Sequence, residues 1–144
     1  MHAYFDSAII VKLYVREATS PDAIGLVGTR IAPYMLTQWQ TLEVNNAIRL
    51  KLFRKEINLG EMNQSLAAFE QDIASGRWQR PVYNAIAIEQ KAAEFSASHS
   101  ARLGCRTLDI IHVAAAVVLG ATEFVTFDGR QEALAKLAGL TVKP

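Results

Sequence analysis

Residues 3–14 read Ala-Tyr-Phe-Asp-Ser-Ala-Ile-Ile-Val-Lys-Leu-Tyr, and their order decides the fold class. Ala3 to Asp6 has the aromatic and apolar character of a short strand. Ser7 then opens a helical pattern that runs to about Glu17. The same change recurs near the other end, where Glu123 to Phe127 predicts a strand and Asp128 with Gln131 predicts the cap of a helix reaching about Leu137. Gly139 ends that helix, and Leu140 to Val142 predicts a last short strand. Short strands alternating with helices predict an α/β fold with a mostly parallel sheet covered on both faces.

Between these ends the punctuation is local. Ser20-Pro21 suits an N-cap and first helical position for a helix to about Gly28. Ile31 to Leu36 is β-like. Thr37-Gln38-Trp39-Gln40 has the form of a capping box that opens a helix to about Lys55. Asn58 through Glu61 predicts a second helix start, with Gly76 as its stop. Asn84 to Leu103 reads as an amphipathic helix ended by Gly104, and Thr107 begins a nearly all-apolar helix ended by Gly120. There are no repeats, low-complexity stretches or domain-sized linkers, so one domain over residues 1–144 is expected.

Composition narrows the class further. With 51% hydrophobic and 20% charged residues, the chain has the apolar content of a folded domain. The longest apolar run, Val113 to Leu119, falls far short of the roughly 20 residues that span a bilayer. No export signal precedes the first strand, and a single cysteine, Cys105, fits a reducing compartment, so a cytoplasmic protein is expected. Cys105 itself reads as a small buried hydrophobe. One Cys and three scattered His exclude a zinc site of ordinary spacing.

Four acids stand where ligands bind in such sheets, outside the carboxyl ends of strands and at helix starts. Thr107 to Leu119 reads TLDIIHVAAAVVL, with Asp109 and His112 its only ionisable groups. A carboxylate in so apolar a helix needs a cation or a raised pKa, unless it serves the helix dipole. Glu43 interrupts a packing stripe that runs from Trp39 to Ala47 and Leu50; the alternative is an exposed helix acid. Asp6 and Asp128 each follow a Phe at a strand end, where a helix cap also explains them. Gathered together, Asp6, Glu43, Asp109 and Asp128 would repel unless a hard cation such as Mg²⁺ or Mn²⁺ joined them, and oxygen ligands suit such ions. Setting those four aside leaves ten acids against 15 bases, a balance compatible with a polyanionic substrate.

Tyr4-Phe5-Asp6-Ser7-Ala8 with Val11-Lys12-Leu13-Tyr14 resembles the opening of PIN domains. Arg106-Thr107-Leu108-Asp109-Ile110-Ile111-His112 resembles their third-acid helix, and Phe124-Val125-Thr126-Phe127-Asp128 their last catalytic strand. With Glu43 inside Leu42-Glu43-Val44-Asn45-Asn46-Ala47, all four acid positions of that family are filled in order. The resemblance implies a three-layer α/β/α fold and a divalent-metal-dependent endoribonuclease of the VapC toxin type, paired with a VapB-like antitoxin and commonly homodimeric. It also implies that Asp6, Glu43, Asp109 and Asp128 are the catalytic and metal-site acids, with Ser7 and Thr126 as supporting hydroxyls. Some relatives carry a further acid where this chain has Gly129, Arg130 and Gln131.

Around these acids, His112 reads as a hydrogen-bonded structural residue, and Asn46 as either a partner of Glu43 or an exposed helix residue. Arg106 and Arg130 are the favoured phosphate contacts, since they neighbour the acids in sequence. Trp39, Phe53 and Trp78 read as core or interface aromatics. The helices Ser7 to Glu17 and Thr37 to Glu61 are expected to expose an apolar patch for a partner. Two other functions compete. A phosphatase with Asp6 as nucleophile would want a second acid at residue 8, where Ala8 stands. A non-catalytic PIN scaffold that binds RNA or protein would have no need of the full acid set.

Overall fold

The computed structural model describes residues 2–143. In chain order its elements are β1 (Ala3–Phe5), α1 (Ser7–Tyr14), α2 (Ser20–Gly28), β2 (Tyr34–Met35), α3 (Gln38–Phe53), α4 (Leu59–Ala74), β3 (Trp78–Gln79) and α5 (Ala85–Phe95). A π-helical turn (Ser96–Ser100) follows, then α6 (Ala101–Leu103), α7 (Thr107–Val118), β4 (Glu123–Val125), α8 (Gly129–Leu137) and β5 (Thr141–Lys143). The fold is α/β, and each strand pairing among the described residues is parallel. The chain divides into two compact units: residues up to Asp6 together with those from Pro81 onward, and Ser7–Arg80. Among the described residues no helix is long and apolar enough to cross a membrane.

The first unit is built on a sheet of order β1-β4-β5, with β4 in the middle. Tyr4 pairs with Phe124 and Phe5 with Val125, and all four side chains are buried. The Tyr4 and Phe124 rings stack with centroids 5.6 Å apart, a cross-strand pair of the kind that stabilises sheets. Helix α7 packs against α5 and α8. It buries Ile110 and the run from His112 to Ala116, as a helix apolar on most faces must. His112 is almost fully buried, and its Nδ1 lies 2.8 Å from the Tyr4 hydroxyl, which is the structural role its sequence context suggests.

The helix expected over Asn84 to Leu103 is interrupted. Asn84 caps it by accepting from Ile86 and Ala87 N–H, but the ladder widens to π geometry over Ser-Ala-Ser-His-Ser before α6 resumes. Three serines in five residues weaken an α-helix, because their hydroxyls compete for backbone groups. Gly104 then takes a left-handed conformation (φ 67°), which lets the chain leave α6 without a Cβ clash.

The second unit holds the short β2-β3 sheet and helices α1 to α4. Of the β-like run from Ile31 to Leu36, only Tyr34–Met35 forms a strand. Pro33 has no N–H to donate, and the pairing is carried by Tyr34 N–H to the Arg77 carbonyl and Leu36 N–H to that of Gln79. The partner strand, β3, was not foreseen from its two residues. Helix α1 stops at Tyr14 rather than Glu17, because the Ser20 hydroxyl accepts from Glu17 N–H and donates to the Val15 carbonyl, closing a turn. Ser20 therefore closes the preceding turn instead of capping α2, whose N-cap residue is Thr19.

The capping box read at Thr37 is present, and a second one forms at the helix start expected from Asn58. Thr37 accepts from Gln40 N–H while the Gln40 side chain accepts from Thr37 N–H, and Asn58 and Glu61 do the same at α4. Ile9, Ile10, Val44, Ile48, Phe69 and Trp78 are among the unit's buried apolar residues. A polar brace crosses it. The Tyr14 hydroxyl donates to Asp72 (2.6 Å) and accepts from Trp78 Nε1 (2.7 Å). Burial first, and then the bond to Asp72, push the Tyr14 hydroxyl far above its ordinary pKa, so it stays a donor.

Candidate active site

Parallel register places the first two site residues. Phe5 pairs with Val125, and the ladder continues through Asp6 N–H to the Val125 carbonyl at 2.9 Å, so Asp6 and Thr126 leave their strands side by side. The Thr126 hydroxyl lies 3.2 Å from Asp6 Oδ2. Both residues are buried.

Helix α8 begins three residues after Thr126. Asp128 is its N-cap and accepts from Arg130 and Gln131 N–H at 2.8 and 3.1 Å, so the cap expected from the sequence forms. The Asp128 N–H turns back to the Thr126 hydroxyl at 2.9 Å. Gln131, at the third helical position and almost fully buried, lies with Oε1 2.9 Å from that hydroxyl and donates from Nε2 to Asp109 Oδ1 at 3.0 Å. Asp109 occupies the third position of α7, which packs on α8. Asp6, Asp109 and Asp128 are thus joined by Thr126 and Gln131 into one hydrogen-bonded chain. Gln131 is the member that sequence reading missed, having seen it only as part of the cap. Its signal was Thr126-x-Asp128-x-x-Gln131, in which a hydroxyl can replace the side chain that normally closes a capping box.

Thr126 has one hydroxyl proton and two neighbours able to accept it, Asp6 Oδ2 and Gln131 Oε1, so it serves one of the two at a time.

Asp109 Oδ2 is buried and has no hydrogen-bond partner among the described residues. Arg106 Nε stands 3.5 Å away, but that side chain is 77% exposed, so the pair is a weak, water-screened one. The donors here are oxygens, the ligand type that hard divalent cations prefer, and one of them is buried without a hydrogen bond. Among the described residues no three His, Cys, Asp or Glu side chains are gathered as a ready metal-holding group.

Glu43 belongs to the other unit. It is half-buried on α3 and accepts from the Ser7 hydroxyl at 3.0 Å, so the exposed-acid reading does not describe it. Ser7 is the chain neighbour of Asp6, and its side chain is the expected supporting hydroxyl. Asn46 is exposed. Trp78 is core, whereas Phe53 is 82% exposed. Cys105 departs from expectation. It is half-exposed, and its thiol lies 3.7 Å from the Arg130 carbonyl. Burial raises the pKa of the thiol, and the charges of Asp109 and Asp128 raise it further, so it is kept protonated beside the acids.

No family model matches the chain, and no curated protein matches it.

Proposed function

We propose that the chain is a single PIN domain of three-layer α/β/α form, a divalent-metal-dependent endoribonuclease of the VapC toxin type acting in the cytoplasm. The observation that carries this reading is the buried Asp109 Oδ2, which has no hydrogen bond, in the hydrogen-bonded chain Asp6–Thr126–Gln131–Asp109 at the carboxyl end of a parallel sheet. Asp6, Asp109 and Asp128 would hold Mg²⁺ or Mn²⁺. Glu43, which accepts from the Ser7 hydroxyl, is the fourth acid of the family pattern. Bound there, the cation supplies an activated water and neutralises charge on the phosphodiester.

The chain's own residues prepare that chemistry. Asp109 and Gln131 lie in the first turns of α7 and α8 and Asp128 caps α8, so the positive ends of two helix dipoles offset the carboxylate charge. Thr126 and Gln131 fix the carboxylates in orientation. Arg106 and Arg130 are both exposed beside the acids, where they can hold phosphates without reading sequence. Leu42 and Phe53 on α3 and Leu59 on α4 expose apolar surface, which favours a covering partner: a second copy of the chain or a VapB-like antitoxin.

The test is RNA cleavage by the purified chain in Mg²⁺ or Mn²⁺, with EDTA and with Asp109→Asn. The substitution removes charge at nearly constant volume, so cleavage falls by orders of magnitude while the fold is kept. Full cleavage in EDTA, or by a folded Asp109→Asn protein, contradicts the reading.

A further inference from the structure

We infer that Gln131 is the positioning residue of the acid set, its buried amide deciding which oxygen of Asp109 is left to face a cation. The inference rests on the metal-dependent reading above and adds to it a residue that is not one of the four acids. Gln131 is 2% exposed and makes three contacts with the set. Its backbone N–H reaches Asp128 Oδ1, its Nε2 donates to Asp109 Oδ1, and its Oε1 meets the Thr126 hydroxyl that also touches Asp6.

A buried amide is costly unless both of its ends are bonded, so this one is held in place by the bonds it makes. With Oδ1 of Asp109 occupied by Nε2, Oδ2 is the oxygen without a hydrogen bond. The residue type matters as much as the place. A Glu here could only accept, and would set a second negative charge against Asp109. A Leu would remove the donor from Asp109 and the acceptor from Thr126. Gln131 is available for this work because the Thr126 hydroxyl has taken the Asp128 N–H, the group that the third-position side chain binds at α3 and α4.

The full chain is titrated with Mn²⁺ by calorimetry and melted with and without Mn²⁺. Gln131→Leu is expected to bind Mn²⁺ about 10–100-fold more weakly than wild type. Gln131→Glu is expected to melt lower than wild type in EDTA and to gain more from Mn²⁺, because the cation relieves the new repulsion. A Gln131 that served packing alone would lower the melting temperature equally with and without Mn²⁺ and leave affinity unchanged, and that result overturns the inference. If Gln131→Leu does not fold, Gln131→Glu decides: a Mn²⁺-induced shift no larger than wild type's overturns it. Failure of the metal reading looks different, since wild type itself then takes up no Mn²⁺ and the Gln131 role falls with it.

Discussion

Three helices begin with the same grammar and spend it differently. At α3 and α4 an N-cap side chain bonds the third-position N–H, and the third-position side chain returns to the N-cap N–H. At α8 the first half is kept, as Asp128 accepts from Gln131 N–H, but the return bond comes from Thr126 instead. Gln131 is thereby released toward Asp109. Gln40 and Glu61 complete structural devices, whereas the chemically similar Gln131 connects carboxylates. The helix start that departs from the local rule is the one at the candidate site, as expected where function competes with local consistency.

The comparison is broken most severely by Thr126→Val. Loss of the hydroxyl removes the acceptor of Asp128 N–H and the partner of Gln131 Oε1 in a buried setting, at a cost of about 1–3 kcal/mol for each group left unsatisfied. Mn²⁺ affinity should also fall, by about 10-fold or more. Chemical denaturation and calorimetry read the two effects separately, and loss of stability with unchanged affinity would make α8 an ordinary cap. Thr37→Ala is the control in the other region. It should cost about 1 kcal/mol, visible as a few degrees in Tm, and leave Mn²⁺ affinity and RNA cleavage at wild-type values.

The smallest effect is electrostatic and also belongs to Ser7–Arg80. Glu17 pairs with Lys12 and, at 2.8 Å, with Lys51, which pairs in turn with Glu56 at 3.1 Å. Burial draws the Glu17 carboxyl upward, but hydrogen bonds and charge from both lysines outweigh it and hold its pKa below the ordinary range. A depressed carboxylate pKa contributes stability above the unfolded value of about 4.3 and loses it as pH falls through the folded value. Glu17→Gln should therefore lower Tm at neutral pH and flatten its decline below about pH 4.3, without changing Mn²⁺ binding. An equal decline in both proteins would show that Glu17 carries none of that dependence.

What could be read in advance follows the same division. Thr37, Gln40, Asn58, Glu61 and Gly104 act on groups within a few residues, and their effects were legible as spacing. The two-residue β3 was not, because its strand character lies in a pairing 44 positions back, Trp78 against Tyr34. Nor was the π turn at Ser96–Ser100, which keeps the residues of a helix and changes only its ladder. At the site, Asp109 and Glu43 stood out as charges in apolar settings and Asp6 and Asp128 as acids at strand ends, and the resemblance to the family pattern joined the four. The Gln131–Asp109 bond did not stand out, since it needs α7 and α8 to be packed together before either residue has a partner.

The most direct test of the acid set is a crystal structure of the chain grown with Mn²⁺ and measured at the manganese absorption edge. The account predicts an anomalous peak in contact with Asp109 Oδ2, with the Gln131 amide still on Oδ1 and Asp6 among the groups facing the ion. No peak at Asp109, at Mn²⁺ concentrations where the protein cleaves RNA, would contradict it.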